Sequence, residues 1–364
     1  MRLKISVFLT ALLSERQKMN ILIIGPSWVG DMMMSHSLYQ QLKIQYPNCN
    51  IDVMAPNWCK PLLARMPEVR KPIEMPLGHG AFELGTRYRL GKSLREQYDM
   101  AIILPNSLKS AFIPFFAKIA HRRGWKGESR YILLNDLRAN KKDYPMMVQR
   151  YIALAFEKDV VPKADDIPVL KPYLMVEPAQ QAETLKKFEK QTALLGDRPI
   201  IGFCPGAEFG PAKRWPHYHY AKLAEMLITQ GYAVELFGSA KDEPVGEEIR
   251  QALPEELREF CVNLAGKTNL NEAVDLIANC TAVVTNDSGL MHIAAAVNRP
   301  LIALYGPTSP QYTPPLSDKA TIIRLIEGGL IKVRKGDKEG GYHQSLIDIT
   351  PEMALEKLEA LLAK

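Results

Sequence analysis

No stretch of this 364-residue sequence approaches the roughly 20 apolar residues that a membrane-spanning helix needs. Its apolar runs, such as Ala101–Leu104 and Leu301–Tyr305, are the length of a strand. Cysteine is sparse. Cys49, Cys59, Cys204, Cys261 and Cys280 are odd in number, scattered, and never spaced Cys-x-x-Cys. That excludes a disulfide framework and reads as buried or incidental thiols of a reducing cytoplasm. Metal-ligand spacing is missing too. The seven histidines are dispersed, and the closest pair, His217 and His219, would diverge on a helix. No Asp-x-Asp pair exists, so a metal-dependent nucleotide-sugar site has no evident ligands and no metal is expected. A basic helix, an aromatic RNA-binding signature and zinc-finger spacing are all lacking, so nucleic acid is not an expected partner.

What is present suits a folded protein. Apolar residues make up 47% and charged residues 24%, which rules out a disordered or collagen-like chain. The length is too great for one ordinary core and suits two domains of about 150 residues. Lys and Arg exceed Asp and Glu by 46 to 40, a net charge of +6, which favours an anionic partner without naming one.

Residues 1–18 carry Arg2 and Lys4, then the apolar run Ile5–Leu13, then a polar stretch. A secretory signal would look similar, but the apolar run is short and no small-x-small cleavage site follows. Met19 then opens Asn-Ile-Leu-Ile-Ile-Gly, a first strand of an α/β protein. The expectation is a loose N-terminal extension over 1–18 and a cytoplasmic protein.

Short apolar runs alternate with helix-period segments, the pattern of parallel sheets wrapped by helices. Strands are expected at Asn20–Ile24, Ile51–Met54 and Met100–Leu104 in the first half. In the second they are expected at Pro199–Phe203, Ala233–Phe237, Ala282–Thr285 and Leu301–Leu304. The segment Pro162–Pro178 lacks periodicity and reads as a linker. The expected fold class is therefore α/β, two doubly wound domains over 19–175 and 176–350 with a cleft between the carboxyl ends of their sheets. A final helix over 351–364 is expected, capped by Thr350 with Pro351 at its first position.

Four segments could carry chemistry. Gly25-Pro-Ser-Trp-Val-Gly30-Asp31-Met32 has the glycine spacing of a P-loop, but Asp31 and Met32 stand where Lys and Ser/Thr belong. A carboxylate there repels phosphate, which leaves two readings of Asp31: a helix cap or a general base. Pro205-Gly-Ala-Glu208-Phe-Gly-Pro-Ala-Lys213-Arg214-Trp215 suits a diphosphate, or is a solvated basic loop with Trp215 in the core. Asn286-Asp287-Ser288-Gly289-Leu290-Met-His292 precedes a small-residue helix. Its N–H groups would make an anion site, or Asp287 merely caps the helix while His292 sits in the core. The run His121-Arg122-Arg123-Gly-Trp125-Lys126, continued by Arg130, suits a polyanion or is a solvated face. Asn106 and Lys109 lie in a further loop after a strand.

The first three of these motifs, taken in order along the chain, resemble family 9 glycosyltransferases from about Met19 to the C-terminus. The resemblance implies a GT-B fold, two Rossmann-like domains, and a metal-independent inverting transfer. The implied donor is ADP-L-glycero-D-manno-heptose, a co-substrate, with no cofactor. The implied acceptor is the first heptose of the lipopolysaccharide inner core, carried as heptosyl-Kdo2-lipid A at the cytoplasmic face of the inner membrane, with peripheral contact to that surface. Asp31 then takes the place of the catalytic base. Lys213, Asp287, Ser288, Gly289, Leu290 and His292, with Glu208 and Thr268, form the implied donor set. Ser27, Trp28, Asn106, Lys109, Arg122, Arg123, Lys126 and Arg130 form the implied acceptor set. Glu208 and Phe209 stand where another branch of the family carries threonines. On this reading Lys213→Ala weakens donor use and leaves the fold intact. Two rivals remain: a non-catalytic nucleotide-binding module, and a GT-B enzyme using another nucleotide sugar.

Overall fold

The computed structural model describes residues 18–78, 80–329 and 333–363. Apart from Lys18, the expected N-terminal extension lies outside them. The chain divides into two compact units between Leu170 and Lys171.

The first unit holds β1 (Asn20–Ile24), β2 (Asn50–Ala55), β3 (Val69–Glu74), β4 (Met100–Ile103), β5 (His121–Trp125) and β6 (Asp136–Arg138). They form one sheet in the order β3-β2-β1-β4-β5-β6, every pair parallel. Ile24 lies opposite Met54 on one side and Ile103 on the other. Helices cover both faces of such a sheet, so its central strands are continuous apolar runs. Ile21, Leu22, Ile23, Ala101, Ile102 and Ile103 are accordingly all at 0% exposure.

The second unit repeats the plan with β7 (Ile200–Cys204), β8 (Ala233–Leu236), β9 (Cys261–Asn263), β10 (Ala282–Asn286), β11 (Leu301–Leu304) and β12 (Ala320–Ile323). Its order, β12-β11-β10-β7-β8-β9, is the same doubly wound topology. In each unit the winding reverses between the first and fourth strands, β1 and β4 or β7 and β10. Ligands of such sheets bind at that switch point, outside the carboxyl ends of the strands. All the expected functional loops except the 121–130 run leave from these four strands. The family-level expectation of a GT-B fold holds.

Five strands went unanticipated: β3, β5, β6, β9 and β12. The clearest correction is β5, read from sequence as a cationic run for a polyanion or a solvated face. Arg123 within it is 3% exposed because Asp136 at 2.5 Å and Glu157 at 2.6 Å neutralise it. The C-terminal helix, by contrast, spans Pro351–Leu362, and the Thr350 hydroxyl accepts from the Met353 N–H at 3.3 Å. All five cysteines are buried and unpaired.

β8 also buries a carboxyl. Glu235 is 2% exposed, and burial pushes its pKa up to about 7. The folded state thus binds this proton more tightly than the unfolded chain, where Glu titrates near 4.3. Its contribution to stability is complete below the unfolded pKa and is lost as pH rises through about 7. Glu235→Gln keeps the neutral shape at every pH. In urea unfolding the variant should match the parent near pH 5 and exceed it by an amount of order 2–3 kcal/mol near pH 8. Parallel pH profiles for the two proteins would place the titration elsewhere.

Candidate active site

In the first unit the Gly25 N–H donates to the Met54 carbonyl at 2.8 Å. A Cβ on Gly25 would meet Met32 Cε at 3.0 Å and the Met54 oxygen at 3.3 Å, so the turn out of β1 leaves little room for a side chain. The helix Val29–Gln45 follows, with Trp28 at its N-cap and no side-chain cap bond. Asp31 is therefore the third helical residue, and the cap reading is corrected. Its carboxylate sits in the positive first turn, a placement typically worth 0.3–1 kcal/mol. The Tyr151 hydroxyl donates to Asp31 Oδ1 at 3.0 Å, and Tyr151 is 4% exposed. It comes from the helix Met147–Ile152, and sequence reading missed it because nothing in that short helix marks one hydroxyl as aimed at an acid.

Other expected acceptor residues divide into two groups. Trp28 is exposed, and the Ser27 carbonyl accepts from Trp58 Nε1 at 3.1 Å. After β4, Asn106 keeps a buried Oδ1 with no hydrogen-bond partner. The Asn106 carbonyl accepts from the Glu128 N–H at 3.1 Å. Lys109 is half-buried and Lys126 exposed, with the Lys126 ammonium 5.7 Å from the Tyr131 ring centre. The arginines are different. Arg130 is 1% exposed and donates to the Pro105 carbonyl at 2.6 Å, the Ser110 hydroxyl at 3.1 Å and the Trp125 carbonyl at 2.5 Å. Arg123 is taken up by its two carboxylates, and Arg122 by the carbonyls of Leu133 and Ile119 at 2.7 and 2.5 Å. Trp125 is buried, donating to the Arg150 carbonyl at 2.8 Å. The run is thus largely internal bracing, with Lys126 its outward cation. A buried guanidinium needs most of its donors satisfied, and sequence alone cannot reveal which arginines have found carbonyls.

In the second unit the loops after β7 and β10 meet. Lys213 pairs with Asp287 at 2.7 Å, and Asp287 is 5% exposed. Asn286 fastens the two loops together. Its Oδ1 accepts from the Trp215 N–H at 3.0 Å and the Tyr220 hydroxyl at 3.1 Å, and its Nδ2 donates to the Pro205 carbonyl at 2.7 Å. This buried amide is the second residue whose role sequence reading missed. Gly206 is needed because a Cβ there would lie 2.5 Å from the Asp242 carboxyl carbon. Gly210 has φ 149°, and a Cβ on it would strike the Arg334 carbonyl.

The helix Gly289–Ala296 starts from Ser288, whose side chain makes no cap bond. The first N–H groups of any helix lack intrahelical acceptors, and here the Ser288 Oγ is itself buried without a partner. Open helix-start donors, with Lys213 paired to the residue just before them, are the kind of arrangement that suits an anion. His292 is buried, and that burial pushes its pKa down to about 4, with Asp287 pulling it up and Lys213 down. Its imidazole is neutral near pH 7. Glu208 pairs with Lys241 at 2.6 Å on the surface. Thr268 is half-buried just before the helix Leu270–Asn279, and Leu290 is half-buried in the first turn of its own helix. Among the described residues no group of three or more His, Cys, Asp or Glu could hold a metal ion.

The family model described as glycosyltransferase family 9 (heptosyltransferase) matches residues 87–343. A lipooligosaccharide heptosyltransferase 2 from Haemophilus influenzae is 97% identical over 346 residues, covering 95% of this chain and 100% of that protein. The lipopolysaccharide heptosyltransferase 2 of Escherichia coli is 63% identical over 348 residues, 94% of this chain and 99% of that one. A solved structure of the E. coli ADP-heptose lipopolysaccharide heptosyltransferase II superposes with a TM-score of 0.86 and 59% identity, covering 95% of this chain and 99% of that one.

Proposed function

The chain belongs to glycosyltransferase family 9, and from that premise we propose an inverting heptosyl transfer with Asp31 as general base. The enzyme is a heptosyltransferase of lipopolysaccharide core synthesis. The reading takes ADP-L-glycero-D-manno-heptose as donor and the first inner-core heptose, borne on lipid A, as acceptor. Such an acceptor puts the work at the cytoplasmic face of the inner membrane, with peripheral contact to its surface.

The observation that carries the reading is a division of charge between the two switch points. A carboxylate, Asp31, lies at that of the first unit. A lysine, an open helix start and an unpartnered buried hydroxyl lie at that of the second. The first suits proton removal and the second suits a leaving diphosphate.

In the transfer, the Asp31 carboxylate takes the proton of an acceptor hydroxyl as that oxygen bonds to the anomeric carbon. The bond from that carbon to the diphosphate oxygen breaks, and ADP leaves with the electron pair. One displacement inverts the anomeric centre and needs no second carboxylate. General-base assistance typically supplies about 10²–10⁴-fold. Charge stabilisation by Lys213 and the N–H groups from Gly289 onward supplies more, and Ser288 gains in the diphosphate the acceptor it lacks. Neutral His292 acts as a hydrogen-bond donor. Glu208, Thr268 and Leu290 border the donor. Ser27, Trp28, Asn106, Lys109 and Lys126 serve the acceptor.

The test is incubation with ADP-heptose and a heptose-terminated core acceptor in EDTA, read by mass spectrometry. One added heptose per acceptor, with one ADP released, is expected. Turnover lost in chelator and restored by a divalent ion would overturn metal independence. ADP binding without product would make the chain a binding module. Stronger thermal stabilisation by UDP than by ADP would point to another donor, since a saturating ligand adds RT ln(1 + [L]/Kd) of stability.

A further inference from the structure

The helix Leu84–Ser93 packs Leu90 against the core but leaves other apolar side chains on its outer face. Its buried residues are Arg87 and Gly91, while Leu84 and Tyr88 are 42% and 44% exposed, beside Phe82 at 50%. Arg87 lies beneath, donating to the carbonyls of Phe82, Ala81 and Lys109 at 2.6, 2.9 and 3.1 Å. Gly91 lets the next helix, Phe112–Phe116, come close. A Cβ there would lie 2.6 Å from Phe116 Cβ and 2.7 Å from the Ile113 carbonyl.

The result is a braced aromatic platform. Phe82 meets Phe112 edge-on at 5.7 Å, Tyr88 meets Phe116 at 5.3 Å, and Phe112 stacks on Phe116 at 5.7 Å. Arg89, Lys92 and Lys118 are exposed around it. The acids nearest in sequence are Glu83, which accepts from the Thr86 hydroxyl at 3.2 Å, and Glu96.

We propose that this platform docks on a bilayer surface rich in anionic phospholipid. Exposed rings interleaved with Lys and Arg match an interface that is apolar below and negatively charged above. Among the described residues no helix is long and apolar enough to cross a membrane, so the engagement is interfacial. A second copy fits less well, because a two-fold contact sets each patch against itself and would bring Arg89 and Lys92 against their own kind. The proposal deepens the reading of a lipid-borne acceptor, and its flotation readout needs neither donor nor acceptor, so each can fail alone.

The experiment is flotation of the full chain with vesicles of phosphatidylglycerol and phosphatidylethanolamine, against phosphatidylcholine alone. The parent should float with the first and not the second, and less so as salt rises. Phe82→Ser/Leu84→Ser/Tyr88→Ser should stay at the bottom of the gradient. Arg89→Ala/Lys92→Ala, which leaves the rings in place, should lower partitioning about 30-fold at low salt, taking ~1 kcal/mol for each cation near an anionic surface. Both variants should keep full turnover on a delipidated, water-soluble acceptor. A parent that ignores anionic vesicles overturns the proposal, as do variants that float like it. So does a dimer that the serine variant dissolves while flotation is unchanged. Should the serine variant fail to fold, the Arg89/Lys92 pair decides alone.

Discussion

Asp31→Asn should lower kcat by at least about 10²-fold while the melting temperature and ADP affinity stay close to those of the parent. Asparagine keeps the shape and can still accept from the Tyr151 hydroxyl, now 3.0 Å from Asp31 Oδ1. What it loses is the capacity to take a proton. Trp28, not Asp31, occupies the N-cap, so neither variant changes the N-cap residue. Both variants give up the favourable placement of a carboxylate in the first turn, about 0.3–1 kcal/mol, and Asp31→Ala also loses the hydrogen bond from the buried Tyr151 hydroxyl, a further cost of about 1–3 kcal/mol. Turnover equally low in both variants, with Asp31→Ala the less stable, would therefore mark a base. Tyr151→Phe supplies a second readout, since Tyr151 is a positioning residue. Its donated hydrogen bond favours the charged carboxylate, so its loss should move the acid limb of the kcat/KM profile to higher pH and lower kcat less than Asp31→Asn does. Near-native turnover in Asp31→Asn would put the base elsewhere and end the mechanism.

The parts of the fold legible in the sequence were those where local pattern and tertiary role agree. β1, β4, β7, β10 and β11 are buried on both faces, so they are written as apolar runs closed by glycine or asparagine, and the runs were visible. β3, β6, β9 and β12 are the edge strands, and β5 lies next to one of them. β3 is Val-Arg-Lys-Pro-Ile-Glu, and nothing in its alternation separates it from a loop. β5 was hidden by its own charge, because two arginines read as solvated until Asp136, Glu157 and the backbone carbonyls are placed around them. The same limit applies to the candidate site. Asp31 and Lys213 were visible because each breaks a local rule, an acid in a P-loop position and a cation in a glycine-rich loop, and Asp287 because it stands just before a small-residue helix. Tyr151 and Asn286 break none. Tyr151 approaches Asp31 from 120 positions away in sequence and Asn286 reaches Trp215 across 71, and only the folded chain brings such pairs together.

The structure changes the expected result for Lys213. Read from sequence, its replacement should spare the fold. In place, it neutralises Asp287 at 2.7 Å, with the lysine side chain 17% and the carboxylate 6% exposed. Removing one member of such a pair strands the other, a loss of 3–5 kcal/mol when both are fully buried. With Lys213 partly in contact with water, about 2–3 kcal/mol is the expectation for Lys213→Met, seen as a fall of several degrees in melting temperature. Donor KM should rise with it, because the leaving diphosphate loses its cation. Adding Asp287→Asn removes the stranded charge, so the double variant should recover most of the stability and none of the activity. The penalty should also shrink as pH falls. Without Lys213, His292, held down to about 4 by burial and in part by Lys213, is freer to take a proton beside the Asp287 carboxylate. The double-mutant cycle thus separates the two duties of the lysine, stability through Asp287 and turnover through the donor. Unchanged stability at pH 8 together with an unchanged donor KM in Lys213→Met would leave Lys213 as a solvated loop cation.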